Sequence, residues 1–191
     1  WSPKQVQGRL RRLGVKTMSH QSIYRRVHRD RTEGGQVWRH MRHMGKLRRK
    51  RKGSEDARGR LLGKRHISQR PERAEQRQEV GHVEVDTVMG RDGRHCVLTV
   101  VDRVTGYLAI RKLDARTKEQ ANEALSNVLR RACGLIKTIT ADNGTEFHGY
   151  RDIEEATGVL FYFAHPYHSW ERGTNENTNG LIRQYLPKRK S

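Results

Sequence analysis

Residues 81–113 read GHVEVDTVMGRDGRHCVLTVVDRVTGYLAIRKL, and this stretch decides the fold. It contains three β-rich runs, separated by the turn signals RDG at 91–93 and TG at 105–106. Short turns of this kind join neighbouring antiparallel strands, since a parallel pair needs a much longer crossover. The stretch therefore predicts a three-stranded antiparallel meander.

Helical and strand-like patterns alternate after the meander. Residues 117–134 carry an apolar helical stripe, residues 136–142 read as a strand, residues 150–158 as a helix and residues 159–165 as a strand, and a last helix ends at Pro187. A run of strands followed by alternating helices and strands predicts an α/β fold, with helices on the faces of a mixed sheet. This order resembles that of a ribonuclease H-like core.

Positive charge is concentrated in the first part of the chain. The formal net charge is +19, and residues 1–80 hold 24 Lys and Arg against 7 Asp and Glu, whereas residues 81–191 hold 16 against 14. Cations that neutralise phosphates release counterions and favour binding without base reading. A solvated tail and an anionic membrane are weaker alternatives, the latter because no large apolar face is present. We expect a nucleic acid as the partner.

Several classes of protein are excluded by composition. No apolar run approaches the roughly 18–20 residues of a membrane span, and the first ten residues lack the pattern of a signal peptide. The two cysteines, Cys96 and Cys133, form no CxxC motif, which argues against a disulfide scaffold and a cysteine zinc finger. A reducing compartment fits this cysteine usage best, and we expect no contact with membranes.

Residues 1–44 are predicted to form a helix-turn-helix segment. Ser2 and Ser19 are candidate N-caps of two short helices, and Gly14 ends the first of them. The second helix of such a motif enters the major groove of DNA, although an αα-hairpin that only packs remains an alternative. The residues expected to face DNA are His20, Gln21, Tyr24, Arg25 and Arg26.

Residues 45–80 are predicted to be a basic linker. Arg48 to Lys52 are five consecutive cations, and the apolar residues show no sustained period. Such a segment would order along a phosphate backbone when DNA is bound. The catalytic core is then expected over residues 81–191.

Three acidic residues have unusual positions. Asp86 lies within the first, otherwise apolar strand, Asp142 ends the strand after the first long helix, and Glu176 lies near the start of the last helix. The expected topology places the first and fourth strands side by side under the last helix, so the three carboxylates could converge. Each also has a structural explanation of its own, namely an arginine pair, an Asx-turn and a helix N-terminus respectively.

Converging carboxylates repel each other, and a hard divalent cation is the usual remedy. Two such ions can clamp the attacking and leaving oxygens of a phosphoryl transfer. We therefore expect Asp86, Asp142 and Glu176 to be both catalytic residues and metal ligands.

Four segments resemble bacterial transposases of the insertion sequence 30 family: WSPKQVQGRL with MSHQSIYRRV, GHVEVDTV, ITADNGTEF, and YFAHPYHSWERGTNENTNGLIRQYLPK. The resemblance implies a DDE transposase with a retroviral-integrase-type catalytic core. It implies that Asp86, Asp142 and Glu176 are the triad, that two Mg²⁺ or Mn²⁺ ions bind there, and that Arg183 lies against DNA. The expected reaction is cleavage of the element ends followed by strand transfer into target DNA, carried out by a homo-oligomer on DNA.

Two rival functions remain open at this stage: a catalytically inactive, transposase-derived DNA-binding protein, and a ribonuclease H-like nuclease. Because the chain begins at Trp1 and ends soon after the last predicted helix, we expect a fragment that is truncated at the C-terminus.

Two glutamates compete for the third acidic position. Glu171 precedes Arg172-Gly173, which indicates a loop, whereas Glu176 follows two residues, Thr174 and Asn175, that can cap a helix. Glu176 would then share a helix face with Asn179 and Arg183, while Leu181, Ile182 and Tyr185 turn toward the sheet. We therefore expect Glu176 to be the ligand.

Overall fold

The computed structural model describes residues 1–41, 63–166 and 168–186. Its contacts divide the chain into two compact units, one within residues 1–54 and the other within residues 55–191. In the first unit, α1 spans Pro3–Arg12, α2 spans His20–Thr32, and a 3₁₀ turn covers Val37–His40. Two packed helices were predicted for this segment, and two are present.

Both predicted N-caps of the first unit are confirmed. The hydroxyl of Ser2 accepts a hydrogen bond from the backbone N–H of Gln5, and Ser19 accepts one from the N–H of Ser22. Gly14 follows α1 with a φ of 69°, a backbone conformation that favours glycine over other residues. These contacts fix the ends of helices that have few buried apolar residues of their own.

The second unit is built on a mixed sheet flanked by helices. Its elements are α3 Glu72–Glu75, β1 His82–Met89, β2 Cys96–Asp102, β3 Leu108–Leu113, α4 Lys118–Arg131, β4 Thr138–Ala141, α5 Tyr150–Thr157, β5 Leu160–Phe163 and α6 Gly173–Ile182. The strand order is β3-β2-β1-β4-β5; the first three strands pair antiparallel, while β4 is parallel to both β1 and β5. The predicted element order and mixed sheet are confirmed. No helix of the described residues is long and apolar enough to cross a membrane.

One face of the sheet is apolar. Val83 and Val85 of β1 belong to a core cluster that also contains Leu125 and Val128 of α4, together with Phe161 of β5. Side chains alternate between the faces of a strand, so these valines leave their neighbours on the opposite side. This apolar face supplies most of the burial that holds the unit together.

The opposite face of β1 is polar and lies under α6. Glu84 is fully buried there, where its Oε1 lies 3.0 Å from Nε of Arg103 and its Oε2 accepts a hydrogen bond from the N–H of Asn175 at 2.8 Å. On the same face, Asn179 donates from Nδ2 to Oδ2 of Asp86 at 2.9 Å. Helix α6 is thus attached to the sheet through hydrogen bonds.

The predicted linker is only partly a linker, because its last residues pack on the second unit. Arg65 donates to Glu154 of α5 at 2.6 Å, and Arg70 donates to Thr140 of β4 at 3.1 Å. Ala74 of α3 is fully buried. Arg65 and Arg70 are therefore held by partners in the globule. Residues 45–62 lie outside the described residues.

Helix α6 differs from its prediction at both ends. Its N-cap is Arg172, preceded by a 3₁₀ turn over Ser169–Arg172, and neither Thr174 nor Asn175 caps it. Asn175 lies inside the helix because its N–H is bound to the buried Glu84. The helix ends at Ile182, before Pro187, and Tyr185 is 84% exposed and does not turn toward the sheet.

We predict that Glu84→Gln lowers the free energy of unfolding of the second unit by about 3–5 kcal/mol, since it removes the nearer and fully buried counter-charge of the Arg103 guanidinium and leaves only Glu75, at 3.9 Å. Urea unfolding followed by circular dichroism measures the change. Glu155→Gln, at an exposed position of α5, is the matched control and should stay within about 0.5 kcal/mol of the parent chain. Equal stability of the two variants would contradict a structural role for the Glu84–Arg103 pair.

Candidate active site

Asp86 lies midway along β1, the central strand of the sheet, and its side chain is 22% exposed. The backbone N–H of Thr87 donates to Oδ1 at 2.8 Å, and Asn179 of α6 donates to Oδ2. Both carboxylate oxygens are therefore held in place by donors from two different elements.

Asp142 directly follows β4, the parallel neighbour of β1. The N–H of Gly144 donates to its Oδ1 at 2.8 Å, which is an Asx-turn. A Cβ on Gly144 would approach Asp142 Oδ1 to 2.8 Å and would collide with the carboxylate of Glu146, so a side chain at this position would displace one of the two acids. The turn fixes the carboxylate at the carboxyl end of β4, as the sequence predicts.

One guanidinium lies between the two aspartates. Nη1 of Arg172 is 3.7 Å from Oδ2 of Asp86, and Nη2 is 3.5 Å from Oδ2 of Asp142. Nη1 also donates to the carbonyl of Val85 at 3.0 Å, and the residue is buried. Asp86 and Asp142 are therefore brought together around a single cationic group. Arg172 was not predicted as a site residue, since its position after Glu171 indicated only a loop.

The electrostatic environment raises the pKa of Asp86 to about 6. Burial is the main cause, and the neighbouring carboxylates of Asp142 and Glu146 add to it; Arg172 and the N–H of Thr87 act in the opposite direction. The site thus disfavours the ionised carboxylate of Asp86, and the charge of Arg172 only partly offsets this.

Glu176 lies in the first turn of α6 and is exposed. It lines one surface depression together with Asp86, Asn179 and Arg183, which is the helix face predicted from their spacing. Arg183 donates from Nη1 to the carbonyl of Met89 at the end of β1. The structure thus brings Glu176 beside Asp86, while Asp142 meets Asp86 on the Arg172 side.

Glu171 has different partners. Its Oε2 accepts from the backbone N–H of His165 at 2.8 Å, and its Oε1 lies 2.7 Å from Nδ1 of the same histidine. These contacts join the start and the end of the segment that connects β5 to α6.

Glu146 is a fourth acidic residue near the site. It is fully buried and accepts hydrogen bonds at Oε1 from Thr87 Oγ1 and from Nε of Arg116, both at 2.7 Å. The sequence signal for Glu146 was its position four residues after Asp142 in ADNGTEF. Its contact with Arg116, thirty residues away, could not be read from that motif. Glu146 links the strand that carries Asp86 to the turn that carries Asp142.

The donor set at this edge of the sheet fits a hard divalent cation. Asp86, Asp142 and Glu176 offer carboxylate oxygens, which Mg²⁺ and Mn²⁺ prefer, and no imidazole or thiol is among the residues that line the depression.

The residues predicted to read DNA lie on α2 of the first unit. Gln21, Tyr24, Arg25 and Arg26 are exposed, and Tyr24 is 39% accessible, whereas His20 is half-buried at the start of the helix. Four of the five side chains are therefore available to a ligand along one helix.

Known proteins with similar sequences cover most of this chain. The model of the integrase core domain matches residues 76–169. The transposase for insertion sequence element IS4351 of Bacteroides fragilis is 42% identical over 190 residues, covering 100% of this chain and 58% of the relative. The transposase InsI of element IS30C from Escherichia coli K12 is 34% identical over 99% of this chain and 52% of its own length.

Among solved structures, a chain of the simian T-cell lymphotropic virus intasome in complex with PP2A regulatory subunit B56 gamma superposes with a TM-score of 0.50 at 17% identity. This match covers 56% of this chain and 39% of that one, and it supports the integrase-type, ribonuclease H-like fold of the sheet. The chain spans between half and three-fifths of the length of the two curated relatives described above. Residues 76–169 match the integrase core domain, and the chain as a whole is similar to insertion sequence transposases, that of IS30C among them.

Proposed function

We propose that this chain carries the catalytic site of a polynucleotidyl transferase, which cleaves the ends of an insertion element and joins them to target DNA. The observation that carries the proposal is the convergence of Asp86 and Asp142 on one guanidinium, with Glu176 in the depression beside Asp86. The reaction class is supported by the relatives, which are named as insertion sequence transposases.

Asp86, Asp142 and Glu176 would hold Mg²⁺ or Mn²⁺, two ions in the complete site. Bound there, the metal supplies Lewis-acid activation and charge neutralisation for phosphodiester hydrolysis and transesterification. Asn179 and the N–H of Thr87 orient the carboxylate of Asp86 before any ligand arrives. This orientation reduces the rearrangement needed at the moment of reaction.

Arg172 keeps the two aspartates together against their repulsion. It is anchored by the carbonyl of Val85, so it stays at the carboxylates even though each N–O separation exceeds 3.4 Å. We propose that it acts as a positioning residue, which preserves the arrangement of ligands between reaction cycles.

Double-stranded DNA is the proposed partner, both as element ends and as target, in the bacterial cytoplasm. The exposed side chains of α2 would read the element end, while Arg183, in the depression beside Asp86, would contact the DNA near the reacting phosphate. We propose that the chain acts as a homo-oligomer on the element ends.

We predict that Asp142→Asn abolishes metal-dependent cleavage of labelled element-end duplexes, while DNA affinity stays within about twofold, since the substitution leaves the basic residues unchanged. Asp152→Asn, at an exposed position of α5, is the matched control and should cleave normally. Unaltered cleavage by Asp142→Asn would remove Asp142 from the triad. If the parent chain binds element ends but never cleaves them with Mg²⁺ or Mn²⁺, the DNA-binding alternative replaces the enzyme.

We predict that Glu176→Gln reduces the cleavage rate by on the order of 10³ or more, equivalent to several kcal/mol of transition-state stabilisation. Glu171→Gln should cost much less, because Glu171 is bound to His165 and not placed beside Asp86. The same cleavage assay compares the two variants under identical metal conditions. A larger loss for Glu171→Gln would reverse the assignment of the third ligand.

We predict that replacing Arg25 and Arg26 together by alanine flattens the salt dependence of DNA binding. Each lost phosphate contact should reduce the slope of log affinity against log salt by about 0.9. Replacing Arg130 and Arg131 of α4, which removes the same charge from an exposed site of the second unit, should leave the slope closer to that of the parent. Fluorescence anisotropy over a salt series gives the slopes, and equal slopes in the two double variants would argue against DNA contact by α2.

A further inference from the structure

We propose that His165, His168 and Glu171 form a binding site for a divalent transition metal such as Zn²⁺, separate from the carboxylate site. We call these three residues the β5–α6 cluster. Each of them offers one ligand atom, and these atoms lie within 4.8 Å of one another. The inference does not depend on the proposed function, since it concerns only which ion this connection binds.

The spacing of the cluster suits a single ion. The three ligands come from seven consecutive positions, and His165 Nδ1 already lies 2.7 Å from Glu171 Oε1. Metal–nitrogen and metal–oxygen bonds of about 2.1 Å at a tetrahedral centre separate neighbouring ligand atoms by roughly 3.4 Å. Small side-chain rotations would bring the cluster to that geometry.

The ring of His168 provides an independent observation. Its Nδ1 is buried and has no hydrogen-bond partner among the described residues, although a buried polar atom without a partner costs free energy. The ring packs edge-on against His165 at 5.0 Å and against Trp170 at 4.4 Å between ring centroids, so its orientation is fixed. A metal bound through Nδ1 of His168 would give this nitrogen the partner that it lacks.

The chemistry of the ligands selects the class of ion. Two imidazoles and one carboxylate suit Zn²⁺ and related ions, whereas Mg²⁺ prefers oxygen ligands only. Three protein ligands leave one tetrahedral position for water, and His165 is exposed, so an ion can enter from solvent. Metal ligands bind in the deprotonated form, so an ion bound to Nδ1 of His165 would displace any proton on that atom into solvent.

Because of the position of the β5–α6 cluster, a bound ion would stabilise the backbone next to Arg172. Glu171 immediately precedes Arg172, whose guanidinium lies between Asp86 and Asp142. An ion held by His165, His168 and Glu171 would fix the backbone that leads from β5 into α6. The cluster would therefore stabilise the element that delivers Arg172.

The test is Zn²⁺ binding by the chelator-treated, full chain, measured by calorimetry in excess Mg²⁺ so that oxygen-only sites are occupied. Visible absorption of bound Co²⁺ reports the ligand geometry in parallel. We expect one Zn²⁺ per chain, and at least about 100-fold weaker binding by His168→Ala, since the loss of a ligand should exceed the 10–100-fold effect typical of an outer contact. Bound Zn²⁺ should also raise the unfolding temperature of the parent chain and not that of His168→Ala.

Three controls keep the outcomes distinct. His95→Ala removes an exposed histidine elsewhere in the second unit and should bind Zn²⁺ like the parent, and Asp142→Asn should do so as well. His168→Gln serves if the alanine variant fails to fold, and it should lose binding in the same way. Binding by His168→Ala or His168→Gln equal to that of the parent, absence of Zn²⁺ binding by the parent, or loss of binding in Asp142→Asn would each overturn the proposal.

Discussion

The repulsion between the carboxylates of Asp86 and Asp142 is the constraint on which the arrangement of this site depends. The two side chains lie close together because β1 and β4 are parallel neighbours in the sheet. Burial and like charge raise the pKa of Asp86, which shows the cost of this proximity. The anchored guanidinium of Arg172 offsets part of that cost, and a divalent cation would offset more.

Much of the second unit could be predicted from local patterns. Alternating and continuous apolar runs marked β1 to β5, and turn residues such as Gly93 marked the connections, because these signals depend on neighbouring positions alone. The placement of Asp86 and Asp142 on adjacent strands followed from the element order. The triad roles of Asp86, Asp142 and Glu176 remain predictions of chemistry that await the proposed assays.

The features that were missed depend on contacts between distant positions. Nothing local distinguishes Arg172 from other loop arginines, and its role becomes visible only when two strands place their carboxylates on either side of it. The same holds for Arg65 and Arg70. The composition of the sequence around them indicated a linker, because their partners on α5 and β4 respectively are distant in the sequence. The start of α6 was misplaced since the buried carboxylate of Glu84, and not a side-chain cap, fixes Asn175.

The polar attachment of α6 has a consequence for how far the helix can slide. Burial of apolar surface is non-directional, so by itself it does not select one position of a helix along a strand. Hydrogen bonds are directional, so the bonds of Asn175 to Glu84 and of Asn179 to Asp86 define one longitudinal register. A shift by one helical turn would move Glu176 by about 5.4 Å and break both bonds at once. The backbone amide of Asn175 and the side-chain amide of Asn179 thus fix the position of the Glu176 carboxylate along the central strand.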